Sequence, residues 1–378
     1  MDRITAEIRD RSIDIGGEDE YHFDSLKPIL KDKRFVFLGE SGHCVKEYIT
    51  AKISLIRFLH REMGFNVVAF ESELGDCTIG DFFSSEYSAE EFMRGSIGKI
   101  WHNQFVLELF RELKESEGLH LTGIDVQQSR KKHFSSFLEK YLTGRIRQQY
   151  IDFDRLANEL LDKNGIFKWR FRKTAEETAK MGKELIEGLE KQTFPSAMLH
   201  KVVMQTIENR LNYVKANFQK SFSKLFEYRD ELMAKNLEFL STHIYPADKF
   251  VIWAHNLYIK KQSSASRLSR YRSFAENLPP LMKEKSFVIG LYAKEGRMGD
   301  YSGRDYPIKK MSHKHMEWLL SHSPYQNSFV RCSHEWGQKK YRAFEGGGLR
   351  TSFVPARQYD GILFFKNVHP VTINEQVK

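Results

Sequence analysis

The chain is predicted to adopt an α/β fold, a mostly parallel central sheet flanked by helices, on three observations. Apolar runs of strand length recur along it and several stop at an ionisable residue. A helical pattern separates the first two. A long, strand-free stretch lies between the third and the fourth. The first run is Arg34–Leu38, followed by Gly39-Glu40-Ser41-Gly42-His43. The second is Asn66–Phe70, ending at Glu71. Between them Tyr48, Ile49, Ile53, Ile56, Leu59 and Met63 recur at spacings of three and four, as on one face of a helix. Strand, helix, strand is a parallel crossover unit, which brings strand C-termini to one edge of the sheet. Open α/β sheets hold their ligand sites at that edge. Glu40, His43 and Glu71 are therefore expected to converge, and a His between two carboxylates suits proton transfer.

The later strands follow the same grammar. Leu119–Ile124 ends at Asp125, and Lys249–Ala254 ends at His255-Asn256. Ser286–Tyr292 and Gly361–Phe365 complete the set. All are rich in Val, Ile, Leu and Phe, as strands buried on both faces should be. From about Ser129 to His243 there is one proline, Pro195, and apolar residues recur at helical spacing (Met204, Ile207, Leu211, Val214, Phe218, Phe222). The expected organisation is an α/β core over 1–128 and 248–378, with a helical insertion or cap over 129–247. Residues 298–357, rich in Gly, Ser, His and aromatics, are expected to form lid or binding loops within the core.

Composition narrows the class. With 378 residues, 41% hydrophobic and 13% aromatic, the chain can bury a large core. No run approaches the ~18 apolar residues of a membrane span, and the N-terminus lacks the apolar core of a secretory signal. A cytoplasmic location with no membrane partner is the expectation. The net charge of +9 is spread along the chain, with only small clusters such as Arg170–Lys173 and Lys309-Lys310. No nucleic-acid-binding motif accompanies it, so a nucleic-acid partner is not expected. Cys44, Cys77 and Cys332 are too few and too scattered for a disulfide scaffold or a paired metal site. Gly346-Gly347-Gly348 lacks the Lys-Ser/Thr of a phosphate loop.

Each candidate has a functional and a structural explanation. Gly39 and Gly42 allow a tight turn into a helix starting near His43, whose amides would face a ligand. His43 is then either a base oriented by a carboxylate or a hydrogen-bonded residue at a capped helix start. Glu71 ends an apolar strand, so burial would raise its pKa unless a cation such as Lys52 compensates. His255 could act as acid or oxyanion donor, or be a structural strand-end His. Asp125 could cap the next helix. Cys44 is expected to pack rather than react. His313, His315 and His322 lack acid or Cys partners at metal-ligand spacing and read as surface histidines.

Taken in order, these motifs resemble one family. Gly39-Glu40-Ser41-Gly42-His43, then Glu47, the helix exit Leu59 to Gly64-Phe65, and Ala69-Phe70-Glu71 are similar to the opening of the erythromycin esterase family, which includes proteins labelled succinoglycan biosynthesis. The resemblance continues through Gly123–Gln127, Arg229-Asp230, Met233-Ala234, Asn236, Trp253–Asn256 and Tyr359–Ile362. It implies an α/β core with a helical insertion and a hydrolytic site that needs no metal or other cofactor. His43 would be the general base on water, Glu40 and Glu71 would orient and polarise it, and His255 would be a second site His. Substrate contacts are expected from Lys52, Tyr258, Asp125, Asn256 and Glu47.

Two departures bear on the substrate. Lys52 stands where the family usually has Arg, keeping the charge but losing the planar fork. Tyr258 stands where the pattern His-Asn-x-His has its second His, and a phenol with pKa near 10 does not shuttle protons at neutral pH. Both argue against macrolides themselves. The expected activity is hydrolysis of an ester or lactone of a bulky small molecule. Acyl transfer or cyclisation in a biosynthetic pathway would use the same residues. A catalytically silent small-molecule binder and a metal-dependent hydrolase are the rival classes. Oligomeric state is left open by the sequence.

Overall fold

The computed structural model describes residues 2–17, 20–127, 133–162, 168–265, 271–300, 302, 304–345 and 349–373. Gly346–Gly348 and the start of the expected insertion, residues 129–132, lie outside them. The chain folds as two compact units. The first comprises 1–69, 99–120 and 247–378, and the second 70–98 and 121–246.

The first unit is built on a mixed, largely parallel sheet. Its strands are β1 (Phe35–Leu38), β2 (Phe65–Glu73, which passes into the second unit after Ala69), β4 (Lys249–Trp253), β5 (Ser286–Gly299), β6 (Asn327–Arg331) and β7 (Gly361–Val368); β3 (His120–Asp125) is mainly in the second unit. The order is β6-β7-β5-β1-β4-β2-β3, with Ile13–Asp14 added at the β6 edge. β1 lies parallel between β4 and β5, and β7 runs parallel to β5. β6 is antiparallel to β7. The four residues of β1 are all buried, which suits a central strand covered on both faces.

Helix α1 (Lys46–Met63) supplies one of those covers. Tyr48, Ile49, Ile53, Leu55, Ile56 and Leu59 form its buried stripe. It ends at Gly64, whose φ of 68° is the left-handed conformation that glycine adopts without strain; its N–H returns to the His60 carbonyl. The helix begins at Lys46, three residues after His43, because Ser41–Cys44 form an irregular turn with Cys44 at φ 53°.

The late segment is more regular than expected. β5 continues to Gly299, β6 joins the main sheet, and Tyr341–Glu345 pairs with Leu349–Phe353 as a hairpin. β6 carries only three buried residues, so no local pattern announced it; pairing with β7, Phe329 opposite Leu363, makes it a strand.

The second unit is mostly helical. It contains α2 (Leu74–Phe82), α3 (Ala89–Ser96), α5 (His133–Tyr141), α6 (Gly144–Leu161), α7 (Arg172–Leu189), α8 (Ala197–Gln219) and α9 (Phe222–Phe239), while α4 (Gln104–Glu115) belongs to the first unit. Besides the inserted helices, this unit takes in the end of β2, α2, α3 and the body of β3. Gly123 explains the close join: a Cβ there would collide with the backbone of Ser72 and Glu73.

Candidate active site

Strand register brings the first group of polar residues together. Leu38 of β1 is paired with Trp253 of β4. The ladder continues past both, with the Ala254 N–H donating to the Leu38 carbonyl at 3.2 Å and the Asn256 N–H to the Glu40 carbonyl at 2.9 Å. Glu40 and His255 therefore sit two residues beyond a register pair. Side chains alternate along a strand, so both project on the face of Leu38 and Trp253. On that face the Lys52 ammonium of α1 lies 4.0 Å from the centre of the Trp253 ring.

Glu40 is the hub of the cluster. One carboxylate oxygen accepts from His43 Nδ1 at 2.6 Å and from the Trp101 indole at 3.4 Å; the other accepts a short hydrogen bond from Lys52. Burial would by itself push this carboxyl up. The Lys52 charge and the His43 contact outweigh it and hold Glu40 well below the usual carboxylate range. Glu40 is thus a carboxylate at working pH, and Lys52, fully buried, is its counter-ion.

His43 is the exposed member of the group, its side chain 30% accessible against 3% for Glu40. Its Nδ1 lies on Glu40, so the ring is oriented by that carboxylate. The His255 ring lies 4.9 Å from the His43 ring, centre to centre, and Trp101 stands edge-on at 6.4 Å. His255 Nδ1 accepts the Leu257 N–H at 3.2 Å, as the cap of the short helix Asn256–Ile259, so the ring's proton sits on Nε2. Burial, followed by the neighbouring His43, pushes its pKa well below the ordinary value and keeps it neutral. A carboxylate, a partly open imidazole and a neutral imidazole in one cluster can orient a base and stabilise the charge it gains.

The second unit assembles two further carboxylate groups around arginines. Arg229 of α9 grips Asp125 through Nε at 2.9 Å and Nη2 at 2.6 Å, and its Nη2 also donates to Glu71 at 3.1 Å. Asp125 additionally caps the backbone of Val126 and Gln127. Glu71 is not a strand end, because β2 runs on to Glu73. Arg229 supplies a cation to Glu71, and Lys52 pairs with Glu40. Glu73 is gripped at both oxygens by Arg210 of α8, at 2.7 and 2.9 Å, and Arg210 also reaches Asp154 at 2.5 Å. Asp76, buried beside Glu73, is pushed well above the usual range, first by burial and then by that carboxylate. Glu73 and Arg210 were missed by sequence reasoning. The available signal was Arg210's place on the apolar stripe of Ile207 and Val214, where a charge must find a buried partner.

The family model described as erythromycin esterase matches residues 60–368. The chain belongs to the erythromycin esterase family. YbfO of Bacillus subtilis (strain 168), provisionally named a hydrolase, is 26% identical over 92% of this chain and 86% of its own length. A segment covering 14% of the chain is 40% identical to erythromycin esterase type II of Escherichia coli, where it covers 13%. Among solved structures, a succinoglycan biosynthesis protein superposes with TM-score 0.80 at 16% identity, covering 99% of this chain and 98% of its own. A mutant of erythromycin esterase EreC in its open conformation gives 0.69 at 16% identity, with 95% and 97% covered. At such identities these two establish a shared fold. Family membership supports a hydrolase activity for the chain.

Against the site expected for an erythromycin esterase relative, several residues have structural duties. Asn256 is fully buried, and its amide brackets the Leu291 peptide, donating to the carbonyl at 3.1 Å and accepting from the N–H at 3.4 Å. Glu47 is held by His369, from the backbone at 2.8 Å and from Nδ1 at 2.6 Å. Tyr258 is half-buried on the helix Asn256–Ile259. Cys44 is buried, and burial together with Glu40 and Asp300 pushes its thiol up to about 12, so it packs rather than attacks. The late histidines divide. His313 is exposed, but His315 is buried and stacks on Phe344 at 5.0 Å, contrary to the surface reading. Among the described residues no cluster of three or more His, Cys, Asp or Glu could hold a metal ion. No helix among them is long and apolar enough to cross a membrane.

Proposed function

We propose that the chain hydrolyses an ester or lactone of a bulky small molecule, with His43 as general base. The observation that carries this reading is the 2.6 Å hydrogen bond from His43 to Glu40, with the same carboxylate locked from behind by buried Lys52. That arrangement fixes the imidazole so that Nε2 is the basic atom and Nδ1–H stays on the carboxylate.

In the proposed step Nε2 takes a proton from water as the oxygen attacks the carbonyl carbon. The imidazolium that forms is balanced by Glu40, which is already ionised. His255 stays neutral and so adds no positive charge beside it; its Nε2–H is the hydrogen it can offer to the developing oxyanion. Collapse of the tetrahedral intermediate breaks the carbon–oxygen bond, and His43 returns the proton to the leaving alkoxide. Lys52 acts through Glu40 as a positioning residue. Glu71 and Asp125 are tied to Arg229 and are given no step.

The test is turnover of a panel of esters and lactones by the wild type and His43→Gln. A general base at this position contributes about 10²–10⁴-fold, so kcat should fall by that factor with the fold retained. Equal turnover in the two proteins would overturn the assignment of His43. No turnover by wild type across a broad panel would favour a binding protein.

A further inference from the structure

A cavity adjoins the segment carrying His43, and a buried carboxyl that lines it has no role in the proposed step. The cavity has a volume of about 290 Å³. Ser41 lines it on the catalytic segment's side, and Met298, Tyr306, Met311, Phe344 and Glu317 line the rest. Gly42 closes the contact, since a Cβ there would come within 2.5 Å of Met298 Sδ. Apart from Glu317 the walls are chiefly apolar.

Glu317 lies on the short helix Met316–Leu320 and is 1% exposed. One oxygen accepts the Phe344 N–H at 2.7 Å. The other is buried and has no hydrogen-bond partner among the described residues. An unpaired buried carboxyl oxygen costs free energy, and in an apolar pocket a ligand group is a natural means of recovering it. Burial, with Glu345 nearby, pushes this carboxyl up to about 8, so it is predominantly protonated at neutral pH. Lys309 lines the same cavity from the exposed side, which disfavours a cationic ligand. Glu345, whose charge helps to raise the Glu317 carboxyl, disfavours an anionic one.

We propose that this cavity is a binding site for an uncharged, oxygen-bearing apolar group, a hydroxyl on a hydrocarbon or aromatic body, whose oxygen pairs with the open oxygen of Glu317. Its use as a subsite for the substrate attacked at His43 rests on the hydrolytic reading; the binding itself does not.

The experiment is a titration followed by the methyl resonances of Met298 and Met311, assigned with Met298→Leu and Met311→Leu. The probes are 2-phenylethanol, the oxygen-free isostere propylbenzene, the cation phenethylamine and the anion phenylacetate. The alcohol should shift both methyls and bind about tenfold more tightly than propylbenzene, the size of one net hydrogen bond. Both charged probes should bind more weakly than the alcohol. Glu317→Leu should erase the alcohol's advantage while Glu317→Gln, which keeps a polar partner, retains most of it. Absence of shifts with the alcohol, tighter binding of a charged probe, or an unchanged preference in Glu317→Leu would overturn the proposal. Because the readout is binding, failure here leaves His43 hydrolysis standing, and loss of turnover in His43→Gln leaves this site standing.

Discussion

Glu40 and His255 lie level with each other along the strand direction, each two residues past the register pair Leu38 and Trp253, with the Asn256 N–H donating to the Glu40 carbonyl at 2.9 Å. Backbone pairing places these two groups. Side-chain bonding then adds His43, which is drawn to Glu40 from an irregular turn, and Lys52, which arrives from α1. A backbone-fixed carboxylate is a stable anchor for an imidazole on a less regular segment.

Glu40→Gln should remove both stability and turnover. It leaves the Lys52 ammonium buried without its counter-ion, and breaking one side of a buried pair costs about 3–5 kcal/mol. The double variant Glu40→Gln/Lys52→Met removes both charges and should recover much of that loss in chemical denaturation. It should not recover turnover, because the charge that balances the imidazolium is still missing. Recovery of activity in the double variant would contradict the role given to Glu40.

Stability should fall towards acid pH through two groups. Glu40 has a depressed folded pKa, so its contribution is present above the ordinary value of 4.5 and is lost as pH falls below it. His255 also has a depressed pKa; the unfolded chain gains a proton below the ordinary 6.5 while the folded chain resists it, so stability drops from there downwards. Glu317 acts in the opposite direction. Its pKa is raised from 4.5 to about 8, so its contribution is intact below 4.5 and is lost as pH rises through 8. Denaturation midpoints measured from pH 2 to 9 should flatten between about 4.5 and 8 in Glu317→Gln and below 4.5 in the Glu40/Lys52 double variant.

Gly39→Ala should be disruptive out of proportion to one methyl group. A Cβ at this position would overlap the Asn256 side-chain oxygen and crowd Ile259. Asn256 would have to leave the Leu291 peptide, freeing buried polar groups at about 1–3 kcal/mol. His255, the next residue, would shift with it. A lower melting temperature together with reduced kcat is expected; a normal melting temperature would show that the clamp can yield.

Arg210→Met should destabilise the second unit by about 3–5 kcal/mol, because Glu73 would remain buried without its cation. Glu73→Gln/Arg210→Met should be milder. Protease sensitivity within residues 121–246, compared with the rest of the chain, provides the measurement.

Reading from residues alone found strands where apolar runs were long and uninterrupted. It misplaced boundaries where the run ended in alternation: β2 continues through Glu71-Ser72-Glu73, whose polar residues looked like a strand end. It missed β6, which has little local signal and gains strand form from its neighbour. The pair His43 and Glu40 was legible because His43 follows Glu40 by only three positions, across Ser41 and Gly42. The assignment of cations was not legible. Lys52 and Arg229 each had several acids within plausible reach, and sequence distance does not say which one shares a face.

By itself, the sequence determined what is local and periodic: the apolar runs that must be strands, the striped helix between the first two, and the motif order that marks the family. The tertiary structure alone decided pairings across long separations. It put Lys52 on Glu40 and Arg229 on Glu71 and Asp125, placed Glu317 with one unpaired oxygen on the wall of a cavity, and left His43 more exposed than its partners. The physical reason is that burial and electrostatic partnership depend on which surfaces pack, and packing is settled by strand register and helix placement over the whole unit.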